Sequence, residues 1–141
     1  MEQEYRIRIL HEIQRVTREG GYFSFSTSNL DAMLQYCQIR LSKHPKAFTK
    51  ELIRLLMIRL LNSDMWIHVR AKQSNLEHTM FNVGGDNWSI KTYCITPKAQ
   101  INQLKEAGFN NIHIYDLQGQ ETHATNITDV ELYFLCNINE P

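Results

Sequence analysis

Polar side chains able to hold a ligand are densest at residues 26–29, Ser26-Thr27-Ser28-Asn29, directly after a run that alternates aromatic residues with serine. Hydroxyl and carboxamide groups in that arrangement can donate and accept hydrogen bonds to a substrate. Ser28 and Asn29 are equally suited to cap a helix, and both roles stand open. The six histidines, at positions 11, 44, 68, 78, 113 and 123, show no H-x-x-x-H spacing. The three cysteines, Cys37, Cys94 and Cys136, are far apart and show no C-x-x-C pair. Neither pattern implies a metal knuckle or a disulfide framework. There is no G-x-S-x-G around any serine, so a hydrolytic nucleophile is not implied and no residue is assigned a catalytic role.

The elements that must position residues 26–29 can be read from periodicity. Tyr5, Ile9, Ile13 and Val16 follow one another at helical spacing, opposite a face with Arg6, Arg8, Glu12, Arg15 and Arg18. Gly20 and Gly21 end that helix, and residues 22–27 alternate as a strand, Phe23 and Phe25 on one side and Ser24 and Ser26 on the other. A second helix is predicted from Leu30, Met33, Leu34, Cys37 and Leu41, broken at His44-Pro45. A third runs over residues 48–61, with Thr49 as its cap and Leu52 and Leu56 facing inward. Residues 66–70, 78–83 and 88–93 read as short strands, the last two joined as a hairpin around Gly84-Gly85-Asp86-Asn87. Thr96 and Pro97 open a helix that buries Ile101 and Leu104 and stops at Gly108. Strands at 111–116 and 130–138 close the chain, separated by a polar excursion at 117–126.

A chain of 141 residues, 43 % hydrophobic and 21 % charged, is of single-domain size, and no repeat or low-complexity tract divides it. Net charge is zero, which argues against a dedicated nucleic-acid binder. Charge is nonetheless uneven: residues 38–72 hold eight Lys and Arg against two Asp and Glu, and residues 73–141 hold three against eight. The basic middle third would suit an acidic partner. No signal-like opening and no apolar run of spanning length occur, so no membrane span is expected and the reading is cytoplasmic.

Two segments carry a family resemblance. Residues 8–30, RILHEIQRVTREGGYFSFSTSNL, resemble the stretch of class I S-adenosylmethionine-dependent methyltransferases from the fourth helix through the fifth strand. Residues 93–117, YCITPKAQINQLKEAGFNNIHIYDL, resemble that family's last crossover helix and sixth strand. The two lie in the family's order. The family's donor site needs a glycine-rich turn that opens a helix and an acidic residue after the second strand, and neither is present here.

The resemblance implies an α/β fold: part of a Rossmann-like methyltransferase sheet, strands five to seven, with residues 30–92 as a helical and hairpin insertion capping the substrate. The strand order would be five, seven, six, with the closing strand antiparallel in the middle. One edge of residues 22–27 would then lie open where the fourth strand belongs, inviting pairing with a separate donor-binding half or a two-fold homo-oligomer. Substrate-binding candidates are Ser28 and Asn29, with His68 and Tyr93 from the cap. S-adenosylmethionine is the implied cofactor, with no site for it in this chain. Two functions compete: the substrate-side half of a methyltransferase, inactive without its other half, and a stand-alone protein-interaction module on the same fold.

Overall fold

A computed structural model describes residues 3–36, 45–62, 76–82, 88–125 and 128–138. Helix α1 (Gln3–Val16) leads into β1 (Tyr22–Asn29), followed by α2 (Leu30–Tyr36), α3 (Pro45–Leu61), β2 (His78–Phe81), β3 (Thr92–Ile95), α4 (Pro97–Glu106), β4 (Asn110–Tyr115), β5 (Glu121–Thr122) and β6 (Glu131–Asn137). The six strands form one mixed open sheet in the order β2-β3-β1-β6-β4-β5.

β1 forms because aromatic and hydroxyl residues alternate at the two-residue period of a strand. Its entry is set by two glycines. Gly20 takes a left-handed φ of 69° and donates to Ile138 O at 3.1 Å. At Gly21 an added Cβ would lie 2.7 Å from Arg18 O, too close for any side chain. β1 then pairs antiparallel with β6 from Tyr22↔Asn137 to Ser28↔Glu131, and β6 pairs antiparallel with β4. The order β1, β6, β4 with an antiparallel strand in the middle is the one the resemblance implies.

The other edge of β1 departs from expectation. β3 lies there in parallel, with Ser28 opposite Cys94 and Asn29 opposite Ile95. β2 and β3 pair antiparallel as expected, His78 opposite Ile95 and Phe81 opposite Thr92, but the second strand is Thr92–Ile95 and not residues 88–93, and the pair extends the main sheet instead of standing over it as part of a cap. The edge of β1 is thus closed by the chain itself at residues 28–29. Among the described residues no strand pairing reaches residues 22–25 on that side.

The sheet has a core on each face. α1 and α4 cover one, burying Leu10, Leu104, Phe109, Ile114, Leu132, Phe134 and Cys136. A row of rings, Phe109, Phe23, Phe25 and Phe134, runs through it with centroids 5.6, 5.0 and 5.5 Å apart in turn. The second core, of Leu30, Ile58, Phe81 and Cys94, joins α2 and α3 to the β2–β3 end of the opposite face. There Asn62 and Asn82 bind each other: Asn62 Nδ2 donates to Asn82 O at 2.9 Å and Asn82 N donates to Asn62 Oδ1 at 2.7 Å. Toward β4 the same face is polar, with Ser24, Ser26, His113 and Tyr133 exposed. A sheet covered on one side only at that end shows the alternation of an antiparallel sheet.

Several helix faces differ from their sequence reading. In α1 the inner stripe is Arg6, Leu10 and Ile13, whereas Tyr5, Ile9 and Val16 are exposed. α3 begins at Pro45, so Thr49 lies inside it, and its buried residues are Leu55 and Ile58, not Leu52 and Leu56. Both helices carry apolar residues around more than one face, so periodicity alone leaves their rotation open. β5 falls in the segment read as an excursion. Asp116 makes the turn: its Oδ1 accepts from Gln118 N at 2.9 Å and Gln120 N at 2.8 Å, and Gly119 takes a φ of 75°. The predicted strand at 66–70, the turn at 84–87, and Cys37, Leu41 and His44 lie outside the described residues. No helix among the described residues is long and apolar enough to cross a membrane.

Two outcomes follow from the first core. Phe134→Ala removes a wholly buried ring that stacks on Phe25, and an urea titration should show a loss of about 3–5 kcal/mol. The Cys136 thiol is buried, with its pKa pushed up to about 11. Mass spectrometry after iodoacetamide treatment at pH 8 should find Cys136 unmodified in the folded protein and modified once it is unfolded, because the thiolate is the reacting form.

Candidate functional site

The polar residues at the end of β1 separate when the strand alternation is followed. Ser28 pairs with Cys94 and shares its side of the sheet, the side of α2 and α3. Asn29 pairs with Ile95 and lies on the opposite side with Tyr93, under α1 and α4. Ser28 and Tyr93 are therefore not brought to one ligand, because residues one apart along a strand point to opposite faces. Tyr93 sits in β3, within the main sheet rather than in a cap. His68 lies outside the described residues.

Asn29 is wholly buried and both ends of its side chain are used within the chain. Oδ1 accepts from Asp31 N at 3.1 Å, the bond of a helix N-cap, and Nδ2 donates to Asp129 O at 3.0 Å. The backbone adds Asn29 N to Val130 O at 2.9 Å. Asn29 thus caps α2 and ties it to the entry of β6. Burial beside this cap raises the Asp31 carboxyl above its usual value.

The side chains that do gather lie on the α1–α4 face. The Arg6 guanidinium stands over the Tyr93 ring, 4.9 Å from its centroid, and 5.9 Å from that of Phe25. Its Nη2 donates to Gln100 Oε1. His78 stacks on the far side of the cluster, 5.8 Å from Tyr93 centroid to centroid. Gln103, one turn after Gln100 on α4, lies by the Tyr93 hydroxyl, where its carboxamide opposes the effect of burial on the Tyr93 pKa. Burial is the larger influence and leaves the Tyr93 hydroxyl above its usual pKa, with Arg6 as a further opposing effect. Burial likewise lowers the pKa of Arg6, offset by Tyr93.

Five atoms of this cluster are buried with no hydrogen-bond partner: Arg6 Nε, His78 Nδ1, Tyr93 Oη, Gln100 Nε2 and Gln103 Oε1. Of these residues, the sequence alone points to Tyr93. Gln100 and Gln103 are buried on the same helix as Ile101 and Leu104, and Arg6 belongs by its spacing to the polar face of α1 but turns inward. A polar residue recurring beside an apolar stripe was the available signal. Among the described residues no group of three or more His, Cys, Asp or Glu is placed to hold a metal ion.

Because Asn29 joins three segments, Asn29→Ala should destabilise the fold by about 1–3 kcal/mol in chemical denaturation, more than a surface cap alone. Ser28→Ala should change stability by less than about 0.5 kcal/mol. No protein-family model, curated protein or solved structure matches this chain.

Proposed function

We propose that the chain is the acceptor-side part of a methyltransferase-like protein, whose S-adenosylmethionine is held by polypeptide outside residues 1–141. The supporting observation is the strand order β1, β6, β4, with β6 antiparallel between two strands of like direction, formed by the same segments whose wording resembles that family. Ligands in open α/β sheets bind beyond the carboxyl ends of the parallel strands, and here β1 and β3 end side by side at Asn29 and Ile95. Methyl transfer asks chiefly for alignment of an acceptor atom with the sulfonium methyl, which a binding surface without its own base can contribute.

A second reading, a stand-alone interaction module, has one observation in its favour. β3 takes the place beside β1 in which the resemblance would seat a strand from the donor half. A chain that closes this position itself has less need of a second half.

Calorimetry separates the two. Titrated alone with S-adenosylmethionine or S-adenosylhomocysteine, the chain should bind no more tightly than roughly millimolar. Co-purified with the product of the reading frame directly upstream, it should bind at roughly micromolar affinity. Micromolar binding by the isolated chain would overturn the claim that the donor is held elsewhere. No binding in either preparation would favour the interaction module.

A further inference from the structure

We infer that Arg6, Tyr93 and Gln100 form a binding site for the carboxylate or phosphate group of a small ligand, on the sheet face between α1 and α4. The inference goes beyond the methyltransferase reading and stands without it.

Arg6 carries a permanent charge on the inner stripe of α1, against Phe25 and Tyr93. The neighbouring acids are engaged elsewhere: Glu4 pairs with Arg8 at 2.6 Å and Glu12 with Arg15 at 2.9 Å, both on the exposed side of the helix. No ion pair of Arg6 exists among the described residues. A part-buried guanidinium without a counter-charge is costly, and the polar atoms around it increase that cost. Gln100 is wholly buried, yet its Nε2 has no partner among the described residues. Native interiors satisfy such groups with few exceptions.

An anion satisfies several of them together. Arg6 Nε–H, Gln100 Nε2–H and Tyr93 Oη–H are all donors, and all belong to side chains in contact with the guanidinium or its ring partner. With Nη2 occupied by Gln100, the guanidinium offers Nε and its remaining N–H groups to a carboxylate or phosphate oxygen. Arg6, Tyr93 and His78 are each partly exposed, so the cluster lies at the margin of the core and not at its centre. The two flanking rings hold the guanidinium plane in place before a ligand arrives, so little side-chain freedom is lost on binding.

The test is thermal unfolding in sodium phosphate or sodium acetate, at constant ionic strength set with sodium chloride, together with the 15N–1H signal of Arg6 Nε. Phosphate or acetate should raise the wild-type Tm in a saturable way and shift the Arg6 signal, the stronger of the two salts identifying the preferred head group. Arg6→Met should remove the response while leaving Tm in chloride equal or higher, since it deletes an uncompensated charge. Arg6→Lys and Tyr93→Phe should each weaken the response about tenfold, the scale of one lost charge-assisted hydrogen bond. They answer the question if Arg6→Met does not fold. The proposal is overturned if neither salt raises the wild-type Tm above chloride. It is also overturned if the variants respond as the wild type does, or if the Arg6 signal does not move.

Discussion

The antiparallel pairing of β1 with β6 is the constraint on which the remaining arrangement depends. Its register runs unbroken from Tyr22↔Asn137 to Ser28↔Glu131, which fixes the face of every side chain on both strands. Phe23 and Phe25 are thereby set beside Cys136 and Phe134, and the row of rings they complete is the floor on which α1 and α4 rest. A slip of one residue would turn those rings to the polar side and put Ser24 and Ser26 in the core. The same register sends Ser28 and Asn29 to opposite faces, so one becomes a neighbour of Cys94 and the other the buried cap of α2.

Arg6 acquires its meaning from that floor. On an isolated helix it would be one of several cations on a solvated side. Seated over Phe25 and Tyr93, it brings a charge to the margin of an aromatic core, where α4 meets it with the Gln100 carboxamide instead of a carboxylate. The α1 carboxylates Glu4 and Glu12 pair with Arg8 and Arg15 on the outer side of the helix. Among the described residues the cluster thus lacks a counter-charge in a region otherwise closed by packing.

Much of this fold could be read directly. The strand at β1, the Thr96-Pro97 start and Gly108 stop of α4, the β2–β3 pairing and the order β1, β6, β4 follow from period, cap chemistry and resemblance. The rotations of α1 and α3 did not follow. Tyr5 and Ile9 are as apolar as Leu10 and Ile13, and only the sheet beneath decides which pair is buried. β5 was lost because two residues carry no period, although Asp116 with Gly119 was a legible turn signal. The site was the least visible part. Arg6, Tyr93 and Gln100 are joined by contacts across as many as 94 residues of sequence, and no local spacing reports such a meeting.

That distance also orders the events of folding. Cys136 Sγ reaches Phe23 O from 113 residues along the chain, and the entire β1–β6 ladder is of this kind. Loop closure on that scale makes the central pairing slow, since its entropy must be lost before its contacts are gained. During synthesis at roughly 5–20 residues per second, β1 leaves the ribosome several seconds before its partner exists. Phe23 and Phe25 spend that interval without their floor, while the β2–β3 hairpin and α4, whose contacts are local, can already have formed. Between them, β3 is the earlier neighbour available to β1, in parallel at Ser28 and Asn29, so it can hold the strand until β6 arrives.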